Sequence, residues 1–191
     1  MSIASYMKIT ILNGSPGENK FLLDDYLLKL QRIITAKAHT SEILTLRELK
    51  ADYCTGCWSC WVKTPGLCVF NDDSHKVCRA VINADFVLFA SPVIMGFFSA
   101  VMKKFMDKLI PLVHPYVTVV QGEAHHWHRY APRDYPLGGV LLEKTPDTDD
   151  EDLDIIQAIH NRTMLNLKTR NVFTLLTNQP VEDVADAILR C

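Results

Sequence analysis

Apolar residues along this chain fall into short runs separated by stretches of helical period. "MKITILNG" is apolar and ends in turn residues, as a buried strand does. In "FLLDDYLLKLQRII" the residues Leu23, Leu27, Leu30 and Ile34 recur at helical spacing, so a helix follows. "EILTL" reads as a second strand, and "SHKVCRAVINA" as a helix beyond a cysteine-rich loop. "DFVLFASP" is a third strand, expected to stop at Pro92. "SAVMKKFMDKLI" sets Val101, Phe105 and Leu109 on one stripe with lysines opposite, a surface helix. "LGGVLLE" is a fourth strand. The acidic run "DTDDEDLD" suits the positive N-terminal end of a helix continuing through "LDIIQAIHNRTMLNLK". "NVFTLLT" is the fifth strand, and "VEDVADAIL" closes with Val181, Val184 and Ile188 on one face.

Five apolar strands alternating with five helices predict an α/β fold, a parallel sheet covered on both faces. The expected architecture is a flavodoxin-like doubly wound five-stranded parallel sheet, order 2-1-3-4-5. The 191 residues fit a single domain, 1–191. One irregularity stands out: residues 111–137, "PLVHPYVTVVQGEAHHWHRYAPRDYPL", a long excursion rich in His, Tyr and Pro. Excursions of that length are expected to be lids or interface arms. The basic groups of "HHWHRY" are then expected to face a ligand or a neighbouring subunit.

Composition narrows the function classes. A net charge of −2 gives no global attraction to nucleic acid or an anionic membrane, so neither is an expected partner. "MSIASYMKITIL" lacks the features of a signal peptide, and Pro92 with its neighbouring turn residues splits the most apolar run into a strand and a helix. The reading is a cytoplasmic protein whose six cysteines are reduced, so their clustering points to metal or redox chemistry. No Ser-His-Asp order, paired carboxylates or Walker-type loop is apparent.

Ligands of such a sheet sit beyond the carboxyl ends of strands 1 and 3. Two loops meet there. In "NGSPGEN", Ser15 and Asn19 are placed to hydrogen-bond a phosphate at a helix N-terminus, although any strand-to-helix turn has a similar composition. In "SPVIMGFF", the apolar residues after strand 3 suit a flat apolar ring, or else core or a dimer interface.

"ILNGSP", four cysteines with "PGLC", then "NDD" and "ASPVIMGFFSAVMKKFMDKL" together resemble the NADPH-dependent FMN reductase family, most nearly its iron–sulfur flavoprotein branch. The match runs from Met7 to about Leu109 and more weakly beyond. The resemblance implies FMN, its phosphate on Ser15 and the rest of the first loop, its ring lined by Ser91 together with Pro92, Val93, Ile94, Met95 and Gly96. It implies NAD(P)H as electron donor, a small-molecule electron acceptor or redox protein as partner, and a homodimer or homotetramer. Two departures are visible: Glu18 stands in the first loop where the family commonly carries a basic residue, and Ile94 and Met95 replace an aromatic pair.

"CTGCWSCW" with "VKTPGLC" places Cys54, Cys57, Cys60 and Cys68 in a C-x2-C-x2-C-x7-C array. Three close thiolates can reach three corners of a [4Fe-4S] cube while the fourth arrives from a short loop, whereas a single zinc prefers two separated pairs. Redox-active or vestigial thiols and another metal are the alternatives. Trp58 and Trp61 are expected to shield such a cluster; Cys78 and Cys191 lie outside the array and read as inert thiols. Two activities follow: a flavin-dependent oxidoreductase, or an iron–sulfur flavoprotein carrying electrons between protein partners. A flavin-free relative of the fold is the third possibility.

Overall fold

Strand β1 (Lys8–Asn13) is buried at every residue but its first, which requires neighbours on both edges and cover on both faces. The computed structural model, which describes residues 6–17, 21–130 and 135–191, supplies both. β1 pairs in parallel with β2 (Thr40–Thr45) on one side and β3 (Phe86–Ile94) on the other. β3 continues to β7 (Leu137–Glu143), and β7 to β8 (Asn171–Leu176), also in parallel. The order β2-β1-β3-β7-β8 is the doubly wound arrangement the periodicity predicts.

Side-chain alternation splits the core in two. Ile9, Ile11, Phe86, Leu88, Ala90 and Leu141 face helices α1 (Leu23–Ala36) and α6 (Val181–Leu189). Leu12, Val87, Phe89, Val140 and Leu142 face α3 (Ser74–Ile82), α4 (Ala100–Asp107) and α5 (Asp150–Asn166). The stripe Leu23, Leu27, Leu30 and Ile34 is wholly buried on α1. α5 begins with a capping box in which the Asp149 side chain accepts from Asp152 N and the Asp152 side chain accepts from Asp149 N, so the acidic run does mark a helix start.

Three features depart from the sequence expectation. β3 runs through Pro92 to Ile94, with Pro92 opposite Glu143 of β7. β1 ends at the Asn13–Ala90 pair, so past Ala90 the missing proline donor breaks no ladder bond on that edge. The strand then folds back through a two-residue antiparallel partner, β4 (Phe97–Phe98). A one-turn helix, α2 (Ser59–Val62), appears inside the cysteine loop. Most of the 111–137 excursion is a hairpin of β5 (Val113–Val120) and β6 (Glu123–His128), closed by Gln121 (φ 52°) and Gly122 (φ 82°). Positive φ at both central residues matches the twist a two-residue hairpin needs.

Candidate functional site

β1 and β3 lie side by side at the sheet centre, and their carboxyl ends release the two loops singled out by sequence. One serine joins those loops. Ser99 caps α4 by accepting from Met102 N (3.1 Å), and its hydroxyl donates to Gly14 O (2.6 Å). Its own backbone N–H donates to Ser91 Oγ (2.9 Å), whose hydroxyl donates to Pro92 O (2.8 Å). Gly14 N completes the tie to Ala90 O (2.8 Å). A Cβ at Gly14 would stand 2.8 Å from Met102 Cβ, so the approach of loop to helix needs glycine there.

The eight flavin-contact candidates occupy different depths. Ser15 is buried, with its hydroxyl accepting from Gly17 N (3.2 Å). Ser91, Pro92 and Val93 are buried too. Exposure starts at Ile94 and peaks at Met95, whose side chain is 99% exposed on a left-handed backbone (φ 51°). Gly96 (φ 74°) follows, and a Cβ there would fall 2.5 Å from the Asp152 carboxylate at the start of α5. Asn19 lies outside the described residues. The tip is therefore an apolar ledge of Ile94 and Met95 whose backbone turn α5 fixes.

Arg47, just past β2, was missed by sequence reasoning. Its Nη1 donates to Ser15 O (3.3 Å) and Asp24 Oδ1 (3.0 Å), and its Nε lies 2.9 Å from where a Cβ on Gly17 would be. It brings a guanidinium from another element against the first loop. The signal was positional: β2 borders β1, so residues after β2 reach the same end of the sheet.

The four cysteines come together elsewhere. Cys54 and Cys57 are exposed, Cys68 half-buried and Cys60 buried, and all are free thiols. All four line one cavity of about 240 Å³, with Trp58, Phe70, Lys108 and Ile110 completing its wall. Among the described residues no three His, Cys, Asp or Glu side chains are grouped to hold a single metal ion. The thiols nevertheless sense one another. Burial, then the charges of Cys68, Cys54 and Cys57, push the Cys60 thiol up, while hydrogen bonds from Ser59 pull exposed Cys57 down. Cys78, behind the cavity, is pushed up to about 12 by burial and then by Cys68 and Cys60.

Lys108 is the unexpected member of this wall. Only 2% of its side chain is exposed, yet Nζ carries a charge pair with Asp72 Oδ2 (2.7 Å) and donates to Cys68 Sγ (3.5 Å). Burial lowers the Lys108 pKa, but the Asp72 bond and the charges of Cys68 and Asp72 prevail and raise it. Burial likewise raises Asp72; hydrogen bonds from Lys108 and Ser74 outweigh that and hold it at about 2. Ser99 caps one end of α4 and Lys108 follows the other, a rise of about 14 Å between the two candidate sites.

Trp58 stacks on Trp61 (4.7 Å between centroids) and lines the cavity. Trp61 instead anchors the hairpin, its Nε1 donating to Val113 O (2.9 Å). His125, His128 and Arg129 of the same segment make contacts of this kind. His125 pairs with Asn166 Oδ1 (3.1 Å), His128 bonds Leu167 O, and Arg129 donates to Pro111 O (2.9 Å) and Val113 O (3.2 Å). His125 and His128 dock the hairpin on the end of α5 and Arg129 ties it to its own first strand, while Tyr116, Val117, Val119 and Trp127 are left exposed.

Comparison with known proteins agrees with this geometry. An iron–sulfur flavoprotein of Archaeoglobus fulgidus is 35% identical over 111 residues, covering 56% of this chain and 48% of that protein. Another, from Methanocaldococcus jannaschii, is 30% identical over 109 residues, covering 56% and 53%. The chain thus spans about half the length of the curated relatives it matches. Among solved structures, an NAD(P)H:quinone oxidoreductase from Methanothermobacter marburgensis superposes with a TM-score of 0.62 at 17% identity, covering 97% of this chain and 95% of that one. An azoreductase from Bacillus anthracis does so with a TM-score of 0.58 at 12% identity, covering 96% and 93%. At such identities the two structures establish the shared fold. The family model for NADPH-dependent FMN reductase matches residues 7–129, and the chain belongs to that family.

Proposed function

We propose that this chain, acting as one domain, is an FMN-binding, NAD(P)H-dependent oxidoreductase that passes electrons to a small acceptor or a redox protein. The observation that carries the reading is the Ile94–Met95 ledge at the carboxyl ends of β1 and β3, beside the loops that the Ser99 tie holds together. Apolar side chains beyond the carboxyl ends of these strands offer a flat ring a surface to cover, at the place where ligands of such sheets bind. A flavin ring fits that ledge, with Pro92 through Gly96 forming its support and the first loop with Arg47 receiving the phosphate. When bound, FMN supplies the redox chemistry; the protein orients it and excludes water, so no acid or base residue is required.

The cysteine cavity supports a second centre. The donor set of four thiols lining one cavity is the chemistry of a [4Fe-4S] cluster, which Cys54, Cys57, Cys60 and Cys68 would hold. Gly56 (φ 65°) and Gly66 (φ 88°) give the loop its turns. This centre favours the alternative of an electron carrier between protein partners. The exposed hairpin residues support a homodimer or homotetramer. Six free cysteines and no described helix long and apolar enough to cross a membrane are consistent with a cytoplasmic setting.

Anaerobic purification tests the set. FMN titration followed by flavin fluorescence, iron and sulfide assay, and NADH or NADPH oxidation with a quinone acceptor are the measurements. Saturable FMN binding with nicotinamide turnover is expected. Binding without turnover on either nicotinamide selects the carrier, and no FMN binding at high concentration eliminates both.

A further inference from the structure

We propose that Lys108 is the positioning and charge-compensating residue of the four-cysteine centre, donating a hydrogen bond to Cys68 Sγ and raising the reduction potential of the cluster held there; this rests on the [4Fe-4S] reading above. Burying a lysine is expensive, and an ion pair with Asp72 does not by itself explain why the pair is sunk in this wall. The geometry supplies a reason. Lys108 Nζ lies 3.5 Å from Cys68 Sγ, 2.7 Å from Asp72 Oδ2, and 5.3 Å from the centroid of Phe70, another wall residue. Asp72 is itself fixed by Ser74 N (3.0 Å) and Asp52 N (3.3 Å), so the ammonium cannot swing away from the sulfur.

Four thiolates on a cluster make an anionic centre. Hydrogen bonds to the sulfurs and the local net charge are the levers that set such a centre's potential. A fixed ammonium stabilises the added electron when the cluster is reduced, so it moves the potential upward. The Asp72 carboxylate beside it opposes that field in part, which limits the effect but fixes its sign. Removing Lys108 must lower the potential, and neutralising Asp72 must raise it. A lysine that merely fills space predicts no fall when it is removed; the rise on neutralising Asp72 reports the carboxylate's own field.

The full chain is purified anaerobically and its cluster reconstituted, as wild type, Lys108→Met, Lys108→Arg and Asp72→Asn. Iron and sulfide are assayed, and each protein is titrated with dithionite while the reduced cluster is followed by electron paramagnetic resonance. Lys108→Met is expected to shift the one-electron equilibrium about tenfold toward the oxidised form, about 59 mV downward. Lys108→Arg is expected to stay near wild type, and Asp72→Asn to move upward. Unchanged potentials in Lys108→Met and Asp72→Asn, with clusters present, overturn the role of Lys108 and leave the cluster intact. If Lys108→Met does not accumulate as folded protein, Lys108→Gln, which keeps a polar end and removes the charge, decides: a fall in potential supports the proposal, and no fall overturns it. Iron near zero in the anaerobic wild type defeats the cluster reading and this proposal with it.

Discussion

His160→Leu should make the protein more stable, and more so in acid. His160 lies on α5 at 0% exposure, edge-on to Phe89 (4.6 Å between centroids) and Phe98 (6.0 Å). Among the described residues neither ring nitrogen has a hydrogen-bond partner. Burial alone pulls its pKa from 6.5 down to about 3, so the folded state holds a neutral imidazole. An unfolded chain takes up the proton below pH 6.5, whereas the folded chain does not until about pH 3. Stability is therefore fully present above pH 6.5 and falls as pH drops from 6.5 toward 3. The slope approaches about 1.4 kcal/mol per pH unit, which amounts to about 2 kcal/mol between pH 7 and pH 5. Leucine removes this proton-linked loss and the orphaned nitrogens, whose burial costs about 1 kcal/mol or more. Urea unfolding under reducing conditions, followed by circular dichroism at pH 7 and pH 5, reads both quantities. The variant should be about 1 kcal/mol more stable than wild type at pH 7 and about 3 kcal/mol at pH 5, with equal m-values. A stability difference that does not change with pH would refute the reasoning, since His160 would then be protonating in the folded state.

Ser99→Ala removes the α4 cap and the tie between the two loops together. It should cost about 1 kcal/mol, lowering Tm by about 2–4 °C, and weaken FMN in the same titration; a lower Tm with unchanged FMN affinity would disconnect the tie from the flavin site. In iron-free protein, Cys57 should be the first of the array to react with iodoacetamide at pH 7.5 and Cys78 the last to react of all six, read by peptide mass spectrometry. The exposed Cys57 thiol is lowered by Ser59 and the Cys78 thiol is pushed up to about 12, so alkylation of Cys78 ahead of Cys57 would contradict the assignment.

What the sequence showed and what it hid separate along one physical line. Hydrophobic period is a local property, and it located the sheet strands and the buried stripe of α1 because burial on a regular element repeats at a fixed interval. On α4 and α6 it found Phe105, Val184 and Ile188, but Val101 and Val181 are half-buried and Met102 and Ala185 are buried in their place. The hairpin escaped because Pro115 and four histidines interrupt the alternation of β5 and β6, and because Gln-Gly stands where Asn-Gly would announce the turn. The cysteine array was legible from spacing, and the structure gathers its four members on one cavity. Charges carry no period. Lys108 reads as one more lysine of a solvent-facing strip, although it stands three residues after buried Phe105 and so turns toward the same face. Only the packing of α3 against the end of α4 delivers Asp72, 36 residues earlier, to its side chain. Arg47 is the same case, 32 residues from the loop carbonyl it contacts. His160 is the converse, a titratable group at a core position of the Ile156, His160, Met164 stripe, where period argues for burial and chemistry argues against it. The sequence reading did not single out His160, and the cost of burying it is what makes it measurable. The functional groups that sequence reasoning found are those that act through local spacing. Those it missed act through a partner that only the fold selects, and Lys108 and Arg47 each stand beside a proposed anionic centre for that reason.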